Sequence, residues 1–366
     1  MERTSAQPKL FIPGPTEVAP EVLAQMANPA IGHRAPECAR LWKNARQSLG
    51  RLMQATGEIC LLTAPASAMM EAAIRNGVRE RSLHLVCGAF SKRWFEIARS
   101  CGKDAVSVET EWGQGFSAEE LRAALEEYGP VDAVTVVHNE TSTGVLNPVQ
   151  DYRAVLQDFP GTLLLVDTVS SMAGAPVHVD EWGIDICLFG VQKCLALPAG
   201  IAIASLSDAA LARSAEVEHK GWFLDFLRLQ KGNEKEQSPS TPSTAHLYAL
   251  NLQLERIFAE GLEARWLRHA NMAARTQEWA EGHGFELFPA ENFRSPTVSC
   301  IARGSGPDFV PILDALKEKG FLMSNGYGAL KGKTFRIGHM GEHTLESLND
   351  LLDHFDVAIK NESSLR

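Results

Sequence analysis

Two residues in the middle of the chain have the types and positions that carry chemistry in a buried site. Asp167 follows the apolar run Leu163–Val166, and Lys193 lies just beyond the apolar run Ile184–Phe189. A carboxylate in such surroundings is costly without a positive partner, and a lysine there loses its proton more readily, as an amine nucleophile must. Each residue alone also fits a simpler interpretation: an aspartate that caps the next turn, and an exposed lysine after a strand.

The separation of Asp167 and Lys193 makes the pair more informative than either residue. Their separation of 26 residues predicts one strand–helix crossover, which would place both at the same end of adjacent or nearby strands. A cofactor with a pyridinium nitrogen at one edge and an aldehyde at the other would need such a pair. The aspartate would keep the ring nitrogen protonated, and the lysine would hold the aldehyde and then act as general base.

Short apolar runs predict the sheet that would position this pair. Runs that are apolar at successive positions suit strands covered on both faces. These runs are Leu83–Val86, Ala133–Val137, Thr162–Val166, Ile184–Phe189 and Gly200–Ala204, with a shorter one at Ile59–Leu62. Segments with helical spacing are Leu41–Leu52, Ser67–Ile74, Ala118–Glu127 and Asp151–Asp158. Alternating strands and helices indicate a largely parallel α/β sheet, in which ligands bind at the carboxyl ends of the strands.

The pattern changes after residue 230. The stretch KGNEKEQSPSTPST, which begins at Lys231, is polar and contains proline, so we expect an exposed loop. A long helix should begin near Ala245 and continue beyond Gly261 into a smaller α+β unit. The elements expected in that unit are the strands Thr297–Ile301 and Thr334–Ile337 and the helix Phe309–Lys319. We therefore predict an N-terminal arm (1–20), a large domain (21–260) and a small C-terminal domain (261–366).

The composition argues against several classes of protein. Hydrophobic residues make up 45% of the 366 positions, which predicts a large buried core. A net charge of -10 disfavours nucleic acid as a partner. No apolar stretch reaches the roughly 18 residues that span a bilayer, and the first residues lack the apolar core of a signal peptide. The seven cysteines include no CxxC pair, so we expect no metal site, no disulfide framework and a cytoplasmic location.

Five short motifs follow one another along nearly the whole chain. They are FIPGPTEVAPEVLAQM near the amino terminus, GHRAPE at Gly32–Glu37, VDTVSS at Val166–Ser171, VQKC followed by PAG within Val191–Gly200, and FRIGHMG at Phe335–Gly341. In this order they resemble the motifs of the class V aminotransferases, and most of all the alanine–glyoxylate and serine–pyruvate group. The resemblance implies pyridoxal-phosphate (PLP) fold type I. That fold has a large domain with a mainly parallel seven-stranded sheet between helices, and a smaller C-terminal α+β domain.

The resemblance also implies roles for residues around a PLP ring. Lys193 matches the lysine that forms a Schiff base with PLP, and Asp167 matches the partner of the pyridine nitrogen. Val169 and Phe90 match residues packed against the two faces of the ring, although an aromatic such as Phe90 also fits ordinary core packing. Ser142 matches a hydroxyl that reaches the ring oxygen of the cofactor.

Two further residues match positions that bind the substrate. Arg336 matches the arginine that holds the α-carboxylate, and a planar guanidinium can bind a carboxylate through two parallel hydrogen bonds. Without the resemblance, Arg336 would be interpreted as a strand-end arginine in a surface ion pair. Gly14 lies where the family's backbone approaches the same carboxylate.

The segment that would bind the cofactor phosphate departs from the family pattern TGSGT. Thr63–Ser67 reads TAPAS, so both glycines are alanine, and Pro65 has no amide hydrogen to donate. The amides of Ala66 and Ser67 and the Ser67 hydroxyl remain as predicted phosphate donors at a helix start. Gln192 matches a phosphate-contacting side chain.

A phosphate contact from a second subunit is also implied. Thr241 matches a threonine that reaches the neighbouring subunit's phosphate, while Ser238 stands where the family usually has an aromatic residue. If Thr241 acts across subunits, the site is complete only in a homodimer.

The predicted reaction is transamination between a small amino acid, such as alanine or serine, and a 2-oxo acid, glyoxylate or pyruvate. The segment HNETSTGVLNPV also resembles 2-aminoethylphosphonate–pyruvate aminotransferases, and GHRAPE resembles phosphoserine-type members. A PLP lyase such as a cysteine desulfurase is a further alternative, as is a protein that has kept the fold and lost the cofactor. Arg34 and Tyr327 lie where side chains select the substrate, but the sequence does not assign their roles.

Overall fold

The computed structural model describes residues 8–364. The first seven residues of the expected arm (1–20) and the last two of the expected C-terminal domain (261–366) therefore lie outside the described residues. The boundary predicted at residue 260 falls between two long helices, Thr244–Glu260 and Leu262–Gly282. The division of the chain into domains at that point stays a prediction.

The large sheet has seven strands. They are β1 (Glu58–Leu62), β2 (Arg81–Val86), β3 (Asp104–Glu109), β4 (Ala133–Val137), β5 (Leu163–Asp167), β6 (Ile186–Gly190) and β7 (Ala202–Leu206). Their spatial order is β1-β7-β6-β5-β4-β2-β3, and β7 runs opposite to the other six strands. The expected mainly parallel sheet of seven strands is confirmed.

Helices cover both faces of this sheet because successive residues of the central strands point to opposite sides. In β5, Leu164 and Val166 join one buried apolar cluster, while Leu163 and Leu165 join another. The helices along this part of the chain are α1 (Pro20–Gln25), α2 (Pro36–Met53), α3 (Ala66–Gly77), α4 (Ala89–Ser100), α5 (Ala118–Tyr128), α6 (Tyr152–Leu156), α7 (Asp208–Glu216), α8 (Phe226–Asn233) and α9 (Thr244–Glu260). Two faces covered in this way explain the continuous apolar runs in the sequence.

A second, antiparallel sheet lies in the C-terminal part of the chain. Its strands are β8 (Glu286–Leu287), β9 (Val298–Ala302), β10 (Ser324–Asn325) and β11 (Thr334–Gly338), in the order β8-β9-β11-β10. The helices beside it are α10 (Leu262–Gly282), α11 (Phe309–Glu318) and α12 (Leu345–Ser364). Phe335 and Ile337 of β11 pack into a third apolar cluster, which also contains Phe11 from the N-terminal segment.

The N-terminal segment, residues 8–16, joins this small sheet region to the large sheet. Lys9–Leu10 pairs in parallel with Phe321–Leu322, and the Phe11 carbonyl accepts a hydrogen bond from the Gly338 amide at 2.7 Å. At the other end of the segment, Thr16 donates its amide to the Gln192 carbonyl at 3.0 Å. We call residues 8–16 the strap.

Two predictions about local structure were wrong. The connection between β5 and β6, residues 168–185, contains turns and no helix, because Gly174 and Pro176 interrupt it and Ala173 adopts a positive φ of 70°. The stretch from Lys231 is not simply an exposed loop: α8 ends inside it, and Asn233 is buried. The Asn233 side chain accepts from the Trp42 indole at 2.8 Å and donates to the Ile59 carbonyl at 2.8 Å.

Within residues 8–364, no helix combines the length and the apolar character that crossing a membrane requires.

Candidate active site

A cavity of about 340 Å³ opens at the carboxyl ends of β5 and β6. That volume lies in the range of small-molecule sites, about 300–1,000 Å³. Eleven residues were predicted for the site, and nine of them line this cavity. The nine are Gly14, Ala66, Ser67, Phe90, Asp167, Val169, Gln192, Lys193 and Arg336. Ser142 and Thr241 are outside it, and the region 8–364 contains no cluster of three or more metal-ligating side chains.

Asp167 is the last residue of β5, paired with Val137 of β4 on one side and Leu188 of β6 on the other. Its side chain is almost completely buried, and its Oδ1 accepts one hydrogen bond, from the Val169 amide at 2.7 Å. Burial raises the pKa of this carboxyl to about 7, although the Val169 amide and the charge of Lys193 act in the opposite direction. The arrangement favours a cationic partner in the cavity, which would stabilise the ionised form.

Lys193 lies three residues beyond the end of β6, where the chain turns into the cavity. Its Nζ donates to the Ser170 hydroxyl at 3.3 Å and lies 5.8 Å from the centre of the Phe90 ring. Burial lowers the pKa of the Lys193 amine to about 8. At pH 7 roughly one molecule in ten then carries the neutral, nucleophilic amine, far more than for an ordinary lysine.

The strap closes over the Lys193 side chain. Gly14 has a φ of +99°, and a Cβ added there would lie 2.4 Å from Cδ of Lys193, closer than two non-bonded carbon atoms can approach. The Thr16 hydroxyl donates to the Lys193 carbonyl at 2.9 Å. Gly14 therefore touches the lysine itself, in addition to lining the place where the sequence predicted substrate contact.

The Phe90 ring is held at the start of α4 by a buried carboxylate that sequence reasoning missed. Glu140 accepts hydrogen bonds from the Phe90 and Ser91 amides at 3.0 and 2.9 Å, and from the Ser142 hydroxyl at 2.6 Å. Glu140 is 0% exposed, so these donors take the place of water around its carboxyl group. Phe90 and Ser91 lie about 50 positions from Glu140 in the sequence, so no local signal marks this role.

The structure corrects the assignment of Ser142. Its side chain is completely buried outside the cavity, and its hydroxyl accepts from the Ala89 amide at 3.0 Å while it donates to Glu140. The neighbouring residue Thr141 lines the cavity instead, and its hydroxyl lies 2.5 Å from that of Ser170. Ser142 therefore faces the start of α4 and not the cavity.

The other end of the cavity is formed by the start of α3. Pro65 precedes the helix, and the first two helical residues, Ala66 and Ser67, line the cavity. The Gln192 amide reaches the same place: a Cβ on Gly190 would lie 2.6 Å from the Gln192 Oε1 and 3.2 Å from the Ala66 Cβ. The first amides of a helix have no partner inside it and favour anions, so this end can accept a phosphate.

Thr241 lies on the surface, outside the cavity of its own chain. The segment that contains it runs beside the loop before α3, where the Ser243 amide donates to the Thr63 hydroxyl at 2.9 Å. The expected role across subunits stays a prediction.

Arg336 reaches the cavity from the small sheet, where β11 pairs with β9 and β10. The buried guanidinium donates to the carbonyls of Asn325 and Thr141 at 3.2 Å, and has no ion pair with the residues of the described region. Burial lowers the pKa of this group. A buried guanidinium without a carboxylate partner provides a site for an anionic ligand. The interpretation of Arg336 as part of a surface ion pair was wrong.

Of the two residues without an assigned role, one belongs to the cavity. Tyr327 lines it, and its hydroxyl accepts a hydrogen bond from Arg93 at 3.2 Å. Arg34 points elsewhere in its own chain and donates to Gln237 and to the Ser238 carbonyl. Arg93, a cavity residue, was not predicted.

The cysteines offer no nucleophile at this cavity. All seven are free, none lines the cavity, and Cys194, beside the lysine, is completely buried. Burial raises the pKa of the Cys194 thiol to about 11, so the reactive thiolate is disfavoured at neutral pH. This arrangement argues against the cysteine desulfurase alternative.

Comparison with known proteins gives a consistent result. The family model Aminotransferase class-V matches residues 10–326. An uncharacterized aminotransferase of Methanocaldococcus jannaschii is 39% identical over 337 residues, which cover 91% of this chain and 87% of that protein. The L-aspartate–glyoxylate aminotransferase of Paracoccus denitrificans is 32% identical over 348 residues, covering 93% and 88%. The crystal structure of an alanine–glyoxylate aminotransferase from Nostoc sp. superposes with a TM-score of 0.91 at 31% identity, covering 98% and 97%.

The relative from Methanocaldococcus jannaschii and the Nostoc structure cover 91% and 98% of the chain, and the family model covers the large sheet and most of the cavity wall. The sequence motifs, the seven-stranded sheet and the relatives therefore agree on one assignment. The chain belongs to the class-V aminotransferase family and is a PLP-dependent transaminase.

Proposed function

We propose that this aminotransferase moves an amino group between a small amino acid, such as alanine or serine, and a 2-oxo acid, glyoxylate or pyruvate. The observation that carries the proposal is one cavity in which a buried carboxylate, a buried amine and a buried guanidinium without an ion pair come together: Asp167, Lys193 and Arg336. The names of the relatives from Paracoccus denitrificans and Nostoc sp. support glyoxylate as an acceptor.

The cavity fits PLP on chemical grounds. Asp167 provides a carboxylate for the ring nitrogen, Val169 and Phe90 provide apolar surfaces for the two faces of a flat ring, and the start of α3 provides amides for the phosphate. Bound PLP supplies an electron-accepting ring, which stabilises negative charge at the substrate Cα. An Asp167 carboxyl that burial leaves half protonated near pH 7 would be stabilised as a carboxylate by a pyridinium at this place.

Lys193 and Arg336 would act on the substrate, the first by proton transfer and the second by binding. The Lys193 Nζ, with its lowered pKa, would attach the cofactor. As a general base it would then take the proton from the substrate Cα and return it to a different atom. Arg336 would bind the α-carboxylate through its two terminal nitrogens and orient the Cα towards the lysine. The Thr16 and Gly14 contacts with Lys193 would limit the movement of the amine between these steps.

We propose that the enzyme acts as a homodimer. At the phosphate end, the chain offers backbone amides and the Ser67 hydroxyl at the start of α3, together with the Gln192 side-chain amide. The cationic side chains of the cavity come from other elements: Arg93, Lys193 and Arg336. An exposed Thr241 is available to donate to the phosphate of a second copy. Sedimentation equilibrium should give twice the mass of one chain, and a monomer with full activity would contradict the proposal.

We also propose a cytoplasmic location. All seven cysteines are free, and six of them are buried. Free thiols in this number are typical of reducing compartments.

The test is a spectrophotometric half-reaction on the PLP-loaded protein. Alanine, serine, glycine, glutamate, aminoethylphosphonate and phosphoserine are added one at a time while the visible absorbance of the bound cofactor is followed. With alanine or serine the band should disappear, and it should return when glyoxylate or pyruvate is added. A response to aminoethylphosphonate or phosphoserine alone would overturn the proposed donor class, and a band that persists with every donor would overturn the reaction.

A further inference from the structure

A second arginine lines the cavity and has no function in the reaction described above. Arg93 is the fifth residue of α4, three residues after Phe90, and its guanidinium carbon lies 4.8 Å from the centre of the Phe90 ring. Stacking on an aromatic face occupies the flat surface of a guanidinium and leaves its N–H groups free around the edge. Arg93 is therefore held in place while its donors remain available.

The hydrogen bonds of Arg93 leave most of these donors unused. In the region 8–364 its side chain makes one hydrogen bond, from Nη2 to the Tyr327 hydroxyl at 3.2 Å, and no ion pair. Because the Tyr327 oxygen accepts in this bond, its own proton is free to be donated to another group. Arg93 and Tyr327 thus present several donors to the cavity and no acceptor other than the one they share.

The side chains that line the cavity carry more positive than negative charge, which favours binding of an additional anion. Lys193, Arg336 and Arg93 all line it, whereas Asp167 is the one carboxylate in its wall. Burial raises the pKa of Asp167, and the charge of Arg93 acts in the opposite direction with a smaller effect. The α-carboxylate of a substrate would satisfy Arg336, and the phosphate of the cofactor would lie at the start of α3. Among the described residues 8–364, Arg93 is left without an anionic partner, in a chain whose net charge is -10.

Tyr327 connects the two guanidinium groups. Arg336 lies with its guanidinium carbon 5.6 Å from the centre of the Tyr327 ring, and Arg93 bonds to the hydroxyl of the same residue. Both arginines therefore contact one side chain on the same side of the cavity. A ligand held by its α-carboxylate at Arg336 would direct a short side chain towards Arg93.

We propose that Arg93 and Tyr327 form a second anion site, which binds the side-chain carboxylate of a dicarboxylic amino acid such as aspartate. The proposal rests on the proposed transamination and adds a class of donor to the small neutral amino acids. A carboxylate fits better than a phosphate group, because one guanidinium fork and one hydroxyl match two oxygens with a single charge, whereas a doubly charged phosphate would leave one charge without a partner.

The test compares two donors in matched variants of the PLP-loaded enzyme. Arg93→Gln removes the charge from the cavity, and Lys92→Gln removes a charge from the adjacent, exposed residue of the same helix turn, which does not line the cavity. We expect R93Q to lower the ratio of kcat/KM for aspartate to kcat/KM for alanine by roughly 10- to 100-fold, the usual effect of losing a charge-assisted pair of hydrogen bonds. K92Q should leave the ratio unchanged.

Inhibition tests the same site without turnover. Succinate carries two carboxylates and butyrate carries one, so succinate should inhibit wild-type enzyme more strongly. R93Q should remove most of that difference.

An R93Q enzyme with the wild-type preference for aspartate and succinate would overturn the proposal, as would a wild-type enzyme that uses alanine but neither uses aspartate nor binds succinate. That second outcome leaves the proposed transamination intact, whereas an enzyme that converts no donor while still binding succinate would overturn only the transamination. A preference for phosphoserine would assign the site to a phosphate group.

R93Q also separates this role from binding of the cofactor. If Arg93 held the phosphate of PLP, its loss would weaken cofactor affinity and affect alanine and aspartate equally. An unchanged dissociation constant for PLP, together with a changed donor ratio, is the result that supports the second anion site.

Discussion

The two ends of the cavity are lined by different kinds of chemical group. At the ring end, Asp167 and Lys193 are buried, ionisable groups that follow central strands and have strongly shifted pKa values. At the phosphate end, the chain offers neutral donors: the amides of Ala66 and Ser67, the Ser67 hydroxyl and the Gln192 side chain. One end can bind through a covalent bond and through charge, and the other through hydrogen bonds alone.

This difference indicates where the chain can tolerate change. A neutral donor at a helix start is one of several, so the glycines of TGSGT can become the alanines of TAPAS while other amides remain. A charged group in a buried strand end has no substitute, because its neighbours are apolar and its position is fixed by hydrogen bonds of the sheet. Substitutions at the ring end should therefore have larger effects than substitutions at the phosphate end.

The largest effect is expected at Lys193. Lys193→Ala removes both the amine that attaches the cofactor and the base that moves the proton, so kcat should fall by about 10⁴-fold. The visible absorbance of the lysine-bound cofactor should disappear as well. Lys92→Ala, at an exposed position of α4, is the control and should retain wild-type activity. A K193A enzyme with most of its activity would show that the ring end is not the catalytic end.

A smaller effect is expected from Asp167 on the stability of the cofactor-free protein. Because burial raises the folded-state pKa to about 7, above the ordinary value of about 4, the protonated carboxyl stabilises the fold below pH 4, and this contribution is lost as the pH rises to 7. Between pH 4 and pH 7 the wild type should lose on the order of 2–4 kcal/mol more of its free energy of unfolding than Asp167→Asn.

The measurement is urea unfolding of the cofactor-free protein at several pH values. Asp353→Asn, on the exposed face of α12, controls for the loss of a surface carboxylate and should show the pH dependence of the wild type. Parallel curves for wild type and D167N would mean that Asp167 is not desolvated, and the contrast between the two ends would disappear.

The smallest effect is expected at the phosphate end. Ser67→Ala removes one neutral hydroxyl and should weaken PLP binding by about 5- to 10-fold, since a single such hydrogen bond contributes about 1 kcal/mol. Fluorescence titration of the cofactor-free protein gives the dissociation constant, with Ser100→Ala, at the exposed end of α4, as the control. A loss as large as that of K193A would show that the phosphate end also depends on one group.

The sequence predicted the central strands well and the edge of the sheet poorly. Strands β4, β5 and β6 are buried on both faces, so most of their residues are apolar and the runs are visible in the sequence. Strand β3, DAVSVE, lies at the edge and is exposed at both ends, and its polar residues conceal it. The connection after β5 was misjudged because short polar residues, Gly174 and Pro176 form turns that no periodicity marks.

The site was predicted where motifs carry the information, and missed where partners meet only in space. Lys193, Asp167 and Arg336 stand in recognisable segments, and all three line the cavity. Glu140 and Arg93 act through residues that lie far from them in the sequence, so their roles needed the fold. Ser142 was misplaced because a motif gives the identity of a residue but not the direction of its side chain.

The strap has a consequence for how the protein is made. Phe321 and Leu322, the residues that pair with Lys9 and Leu10, are synthesised about 310 positions after them. At about 5–20 residues per second, the strap waits for between about 15 s and about 1 min before its partner strand exists. Since the same strap packs against Lys193 through Gly14, the reactive lysine acquires its final surroundings only after Phe321 and Leu322 have been synthesised. A nascent chain therefore cannot yet hold PLP as the finished enzyme does.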